Sequence, residues 1–193
     1  MTNGVDELTR TTGEMACGQI PSRPFLIMGQ YHHTDPTRQP EGKETAWAYS
    51  HVPQRVRGDA GGELTGRWDR REETERFADR LQARIEQVAP GFGALIRHRA
   101  VAGPDDLQRD DANLVNGAIN GGTANVHQLA MFRPIPAQGG RPETPVARLF
   151  LASASAHPAG GVHGAPGAIA ARAALRHHEP WRALRPSLLR HPI

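Results

Sequence analysis

The sequence predicts an α/β fold, and three observations carry the prediction. Leu149, Phe150 and Leu151 form the short apolar run of a buried parallel strand, and a glycine-rich turn and an alanine-rich stretch of strong helix formers follow it. Over residues 44–52, Thr45, Trp47, Tyr49 and His51 alternate with Ala46, Ala48, Ser50 and Val52, the period of two that marks a strand. Thr74, Phe77, Leu81, Ile85 and Val88 recur at three and four residues, the stripe of an amphipathic helix.

Composition narrows the class. The 193 residues are 38% hydrophobic and 22% charged, a soluble globular balance somewhat poor in core formers, and 21 glycines with 16 prolines call for many turns. A chain this long can hide roughly 70% of its unfolded surface, so size does not limit folding. The formal charge of +3 comes almost wholly from arginine, and most arginines alternate with acidic residues or lie near the C-terminus, which argues against nucleic-acid binding. Cys17 is the single cysteine, so no intrachain disulfide or cysteine-rich metal site can form. No apolar run approaches the ~20 residues of a membrane helix, and MTNGVDELTR lacks the basic start and apolar core of a signal peptide. The expected location is cytoplasmic.

Taken in order, residues 5–15 predict a short helix with Asp6 near its start and Gly18 as its stop. Residues 25–28 predict a buried strand ended by Gly29, and 44–52 the strand beside it, with Trp47 and Tyr49 forming aromatic core. Residues 58–66 read as flexible loop. A helix is expected over 70–89, capped by Asp69, ended by Pro90 and Gly91, with a Glu72–Arg76 pair on its surface. Residues 94–101 predict a further strand, and the glycine- and asparagine-rich 116–128 a surface turn. His32, His33 and His51 have neither HxH nor HExxH spacing, and carboxylates are not placed to complete a site, so no metal site is expected.

The turn between Leu151 and the last helix holds Gly160, Gly161, Gly164 and Gly167, which permit positive φ and close approach of a ligand to the backbone. Unpaired amides over residues 164–167 would carry the positive pole of the helix, a seat for an electron-rich group. A serine hydrolase is not supported: neither Ser153 nor Ser155 lies in the Gly-x-Ser-x-Gly turn of a nucleophile elbow, and His157 has no acid partner. GFGALI at 91–96 imitates a phosphate loop but lacks the third glycine and precedes its strand. No residue stands out as a catalytic acid or base.

LFLASASAHPAGGVHGAPGAIAARAAL resembles the C-terminal flavin-binding segment of the phytoene desaturase and carotenoid isomerase-like FAD-dependent oxidoreductases, where a last strand enters an HPGGG-type turn and a closing helix. PSRPFLIMGQ, DPTRQPEGKETAWAYSHVP, NLVNGAINGGTANVHQLAMFRPIP and TPVARLFLAS look like successive parts of the same family's C-terminal half, so the resemblance covers residues 5–182. Ala159 departs from it, standing where the family often has another glycine. The resemblance implies the C-terminal half of a Rossmann-like FAD/NAD(P)-binding flavoprotein: residues 1–145 as the substrate-side sheet with helices, 146–178 as the last strand and helix of the FAD domain, 179–193 as a tail. On that substrate side it implies that Trp47 and Tyr49 line an apolar pocket instead of forming core. It implies FAD as cofactor, contacted by Ser153, Ala154, Ser155, His157, Pro158, Gly160, Gly161, Val162, Gly164, Ala165 and Gly167, with 116–128 near the flavin side.

An FAD pyrophosphate is normally received by a G-x-G-x-x-G turn with an acidic residue ~20 positions later, and these residues contain no such unit. The family's N-terminal half is therefore an expected, separately encoded partner, and an apolar small molecule the expected substrate of an oxidation, desaturation or isomerisation. The alternative is a truncated, non-catalytic remnant or partner-binding module unable to hold FAD alone.

Overall fold

The computed structural model describes residues 4–32, 34–123 and 125–178, a mixed α/β chain with small sheets. It divides into two compact units, Met1–Asp105 and Asp106–Ile193. The expected tail at 179–193 and His33 lie outside the described residues.

In the first unit, helix α1 (Val5–Ala16) ends as anticipated, with Gly18 in the left-handed region at φ 75°. Thr11 is buried and its hydroxyl donates to the carbonyls of Glu7 and Arg23, which fixes α1 on the following chain. Strand β1 (Gln19–Ile20) pairs in parallel with β4 (Gly58–Asp59). Strand β2 (Ile27–Gln30) runs antiparallel to β3 (Ala46–Tyr49), with Gly29 opposite Trp47.

The predicted pairing of these two segments is thus present, but with shifted limits. The strand expected at 25–28 starts two residues later, because Leu26 turns into the interior and the Phe25 carbonyl accepts from the Ser50 hydroxyl. It also runs through Gly29: the Trp47 indole lies where a Cβ would stand, 2.6 Å away, so glycine is what lets the ring cross the strand. The aromatic face is not core. Trp47 and Tyr49 stack at 5.7 Å and remain 37% and 39% exposed.

Residues 58–66 are not a flexible loop. The Asp59 carboxylate accepts the amides of Gly61, Glu63 and Leu64 and takes both ends of the Arg80 guanidinium at 2.7 Å, its side chain only 1% exposed. Helix α2 (Arg71–Val88) supplies that arginine. Its inner face places Phe77 against Ile20 and Leu64, with Val52, Val56, Trp68 and Leu81 around them, and Trp68 meets Phe77 edge-on at 5.9 Å. Thr74 and Ile85 are buried as the periodicity predicts, whereas Val88 at the end of the stripe is exposed. Arg70, not Asp69, occupies the N-cap position and gives no side-chain cap, while Asp69 pairs with Arg67 at 3.2 Å. The Glu72–Arg76 pair forms at 2.7 Å.

The strand predicted at 94–101 is absent. The Glu86 carboxylate accepts the amides of Gly91 and Gly93, which winds the chain into the one-turn helix α3 (Phe92–Leu95). Farther on, Arg99 reaches Glu75, Asp79 and Gln82 while Arg71 donates to the Val101 carbonyl, so side chains of α2 hold this stretch in place of a neighbouring strand. Helix α4 (Pro104–Asp110) contains the boundary between the units.

The second unit is built from turns. Short 3-10 turns at Val115–Gly117, Val126–Gln128, Ala130–Phe132 and Pro136–Gln138 precede helix α5 (Ala165–His178). No parallel strand forms at Leu149–Leu151. Phe150 makes a single antiparallel bridge to Glu143, with Leu151 donating to the Pro142 carbonyl and Thr144 to the Leu149 carbonyl, and Leu149 is 53% exposed. A parallel strand needs a neighbour in register, and the described residues of this unit supply none.

Candidate functional site

The second unit brings the residues singled out in the glycine-rich turn onto one continuous stretch leading into α5. Ser153 opens it: its carbonyl accepts the Ala156 amide at 2.9 Å, its Oγ accepts the Ser155 amide at 3.2 Å, and the two hydroxyls stand 2.6 Å apart. The buried methyl of Ala156 pins this loop from inside. His157 and Pro158 follow, half-buried, and a Cβ at Gly140 would come to 3.1 Å from the His157 ring, so that glycine lets the imidazole pack on the neighbouring turn. The His157 Nδ1 has no hydrogen-bond partner among the described residues.

The predicted positive-φ positions are only partly the glycines. Gly161 and Gly164 lie at φ 155° and 61°, but Ala159 lies at φ 133°, where an L side chain is strained. The alanine that departs from the family pattern therefore occupies backbone suited to glycine. Gly160 lies close to Asn120: a Cβ there would meet Asn120 Oδ1 at 2.7 Å and displace that side chain. At Gly164 and Gly167 a Cβ would meet nothing within 4 Å, and Val162 is fully exposed, so this side of the turn is open.

The amides of the helix start are less free than expected. His163 Nδ1 accepts the Ala165 amide at 3.0 Å, Pro166 has no N–H, and the Ala168 amide already bonds the Gly164 carbonyl at 3.1 Å. The basic residues Arg176, His177 and His178 fall in the last turn of α5, as the sequence suggests, and His177 meets the Phe150 ring edge-on at 6.1 Å.

Sequence reasoning passed over Arg133. Its side chain is buried beneath the turn and gathers carbonyls from three directions. Nε donates to Gln128 at 2.7 Å, Nη1 to Asn120, Gly121 and Ala154 at 2.9 Å each, and Nη2 to Thr123 at 3.0 Å. The stretch 116–128, read as a surface turn with a link to the flavin side, is thereby tied to Ala154 through residues 120, 121, 123 and 128. An arginine between two apolar residues and a proline, Phe132-Arg133-Pro134-Ile135, was the available signal.

In the first unit, His32 Nδ1 is taken by Gln39 and the His51 ring packs edge-on to Phe25 at 5.1 Å. Among the described residues no group of three or more His, Cys, Asp or Glu side chains is placed to hold a metal ion, and no helix is long and apolar enough to cross a membrane.

No protein-family profile matches the chain, and no solved structure does. Among the curated proteins similar to it are two called pyridine nucleotide-disulfide oxidoreductase domain-containing protein 2, one from Rattus norvegicus and one from Mus musculus. Each is 34% identical over 165 residues, which is 84% of this chain. The chain spans 27% of the length of these relatives.

Proposed function

We propose that this chain is the flavin-contacting and substrate-side part of an FAD-dependent oxidoreductase. The name shared by the relatives, pyridine nucleotide-disulfide oxidoreductase domain-containing protein 2, supports redox chemistry. The observation that carries the reading to particular residues is the open turn from Ser153 to Gly167: exposed backbone, small side chains and a hydroxyl pair, leading into a helix start. These features fit a flavin's polar chain and ring edge, which tolerate no Cβ at the closest approach. In this reading Ser153, Ala154, Ser155, His157, Pro158, Gly160, Gly161, Val162, Gly164, Ala165 and Gly167 contact the flavin, with residues 146–178 belonging to its domain and 1–145 to the substrate side. The flavin supplies the hydride or electron chemistry, and this chain orients it.

The finer assignment to desaturation or isomerisation of an apolar substrate, as in the phytoene desaturase and carotenoid isomerase-like enzymes, is part of the same proposal. So is a second polypeptide segment bearing the G-x-G-x-x-G turn. One observation favours a second reading, a non-catalytic module: the amide at the start of α5 that could face a cofactor is already taken by His163.

An FAD titration followed by flavin fluorescence tests the proposal. Gly161→Val and Gly164→Val each put a side chain on positive-φ backbone at the turn, and at Gly161 the added Cβ would also lie 2.8 Å from the His163 ring. Gly13 in α1 has open space around it and serves as control. The expected result is saturable, weak quenching by wild type and by Gly13→Val, with both turn variants weakened by about tenfold or more. Equal behaviour of all four proteins would overturn the assignment of the turn.

A further inference from the structure

What the turn can offer a ligand depends on which way its peptide groups point, and one buried side chain governs that direction. Arg133 is 3% exposed and forms no ion pair with a carboxylate among the described residues. A guanidinium stays charged when buried and must be satisfied by acceptors. Here the acceptors are five backbone carbonyls, from Asn120, Gly121, Thr123, Gln128 and Ala154, each turned with its oxygen toward the arginine.

In a trans peptide the C=O and N–H point in opposite directions. Turning the Ala154 carbonyl inward therefore turns the Ser155 N–H outward, where it meets Ser153 Oγ beside the Ser153–Ser155 hydroxyl pair. Gly121 packs against the same peptide: a Cβ there would sit 3.1 Å from the Ser155 nitrogen, so the backbone that delivers two of the carbonyls also closes the space into which the peptide could turn.

We infer that Arg133 is the positioning residue of this turn. By holding the Ala154–Ser155 peptide carbonyl-inward, it keeps the Ser155 amide on Ser153 Oγ and so presets the paired hydroxyls for the polar chain of a flavin before the flavin arrives. The identity of the ligand rests on the function proposed above; the preset backbone does not.

The test compares the full chain with Arg133→Met, which keeps most of the volume and loses every donor, and Arg133→Lys, which keeps the charge but not the planar fork. Amide hydrogen exchange is read at Ser155 and Ala156, in α5 and in α2, and FAD affinity by fluorescence quenching. Both variants are expected to exchange about tenfold faster at Ser155 and Ala156, with α5 and α2 unchanged, and to bind FAD correspondingly more weakly. Unaltered exchange at the turn in Arg133→Met would overturn the inference. So would an equal rise through α5, which would make Arg133 a general support of the unit, and so would unaltered FAD affinity in a wild type that binds it. A wild type that leaves FAD unbound contradicts the flavin reading instead, and the exchange comparison then decides the role of Arg133 alone.

Discussion

Asp59 shows how one carboxylate can organise a stretch that composition alone marks as loop. Burial raises its pKa, but the hydrogen bonds from Arg80 and from the amides of Glu63, Leu64 and Gly61 outweigh burial and hold it well below the usual carboxylate range. With the folded value depressed, the stabilisation is complete above the unfolded aspartate value of about 3.9 and drains away as pH falls toward the folded value. Asp59→Asn leaves a mostly buried guanidinium with only the exposed Glu63 carboxylate, at 3.2 Å, as charge partner and is expected to cost about 3 kcal/mol at neutral pH. At pH 3 the gap between wild type and variant should narrow by roughly 1 kcal/mol, because wild type has then lost part of the linkage and the variant none. Urea titrations at the two pH values measure it, and a gap independent of pH would contradict the account. Ala159 makes the opposite case. Its φ of 133° is strained, relief of such strain is worth roughly 1 to 3 kcal/mol, and the added freedom of an unfolded glycine takes back ~0.5 to 1 kcal/mol. Ala159→Gly should therefore raise the thermal midpoint; a lowered midpoint would show that the backbone there is unstrained.

At the scale of elements, helix α2 was legible, whereas of the strands only the β2–β3 pair was. The stripe of Thr74, Phe77 and Ile85 is self-consistent over about three turns, and a helix satisfies its own backbone. Phe77→Ala should cost about 3 to 4 kcal/mol. Val88→Ala, at a position 53% exposed, should change stability by less than about 0.5 kcal/mol. Chemical denaturation separates the two, and comparable losses would mean that the stripe is buried along its whole length. Strands depend on partners that the local pattern does not name. Residues 94–101 carry apolar character, yet Glu86 bonds the amides of Gly91 and Gly93 and Arg99 reaches α2, a set of contacts no periodicity reveals. The ribbon of β2 and β3 was paired correctly, but Trp47 and Tyr49, expected as aromatic core or as the lining of an apolar pocket, are not core. With only two strands, stacking of Trp47 on Tyr49 hides the rings from one another and not from water.

For the whole molecule, the readable part of the candidate site was its covalent order: Ser153 to Gly161, open backbone, then α5 from Ala165. Glycines, alanines and a helix start are written locally. Two features were not legible, one set by a distant residue and one by a side-chain rotamer that no pattern reveals. Arg133 orients the Ala154 carbonyl from a different loop, and His163 folds back on the Ala165 amide, which the sequence alone would leave free. The absence of a parallel strand at Leu149 to Leu151 likewise turns on distant residues, since a strand exists only with its neighbour. The central claim, that the turn from Ser153 to Gly167 is where a flavin is met, is tested most directly by amide chemical-shift mapping of the isotope-labelled chain during addition of excess FAD. The account predicts saturable shifts concentrated at residues 153–167 and in the 120–123 backbone held by Arg133, with α2 unmoved. Saturable shifts that instead map to the exposed aromatic ribbon of β2 and β3, or no shifts at any FAD concentration, would contradict it.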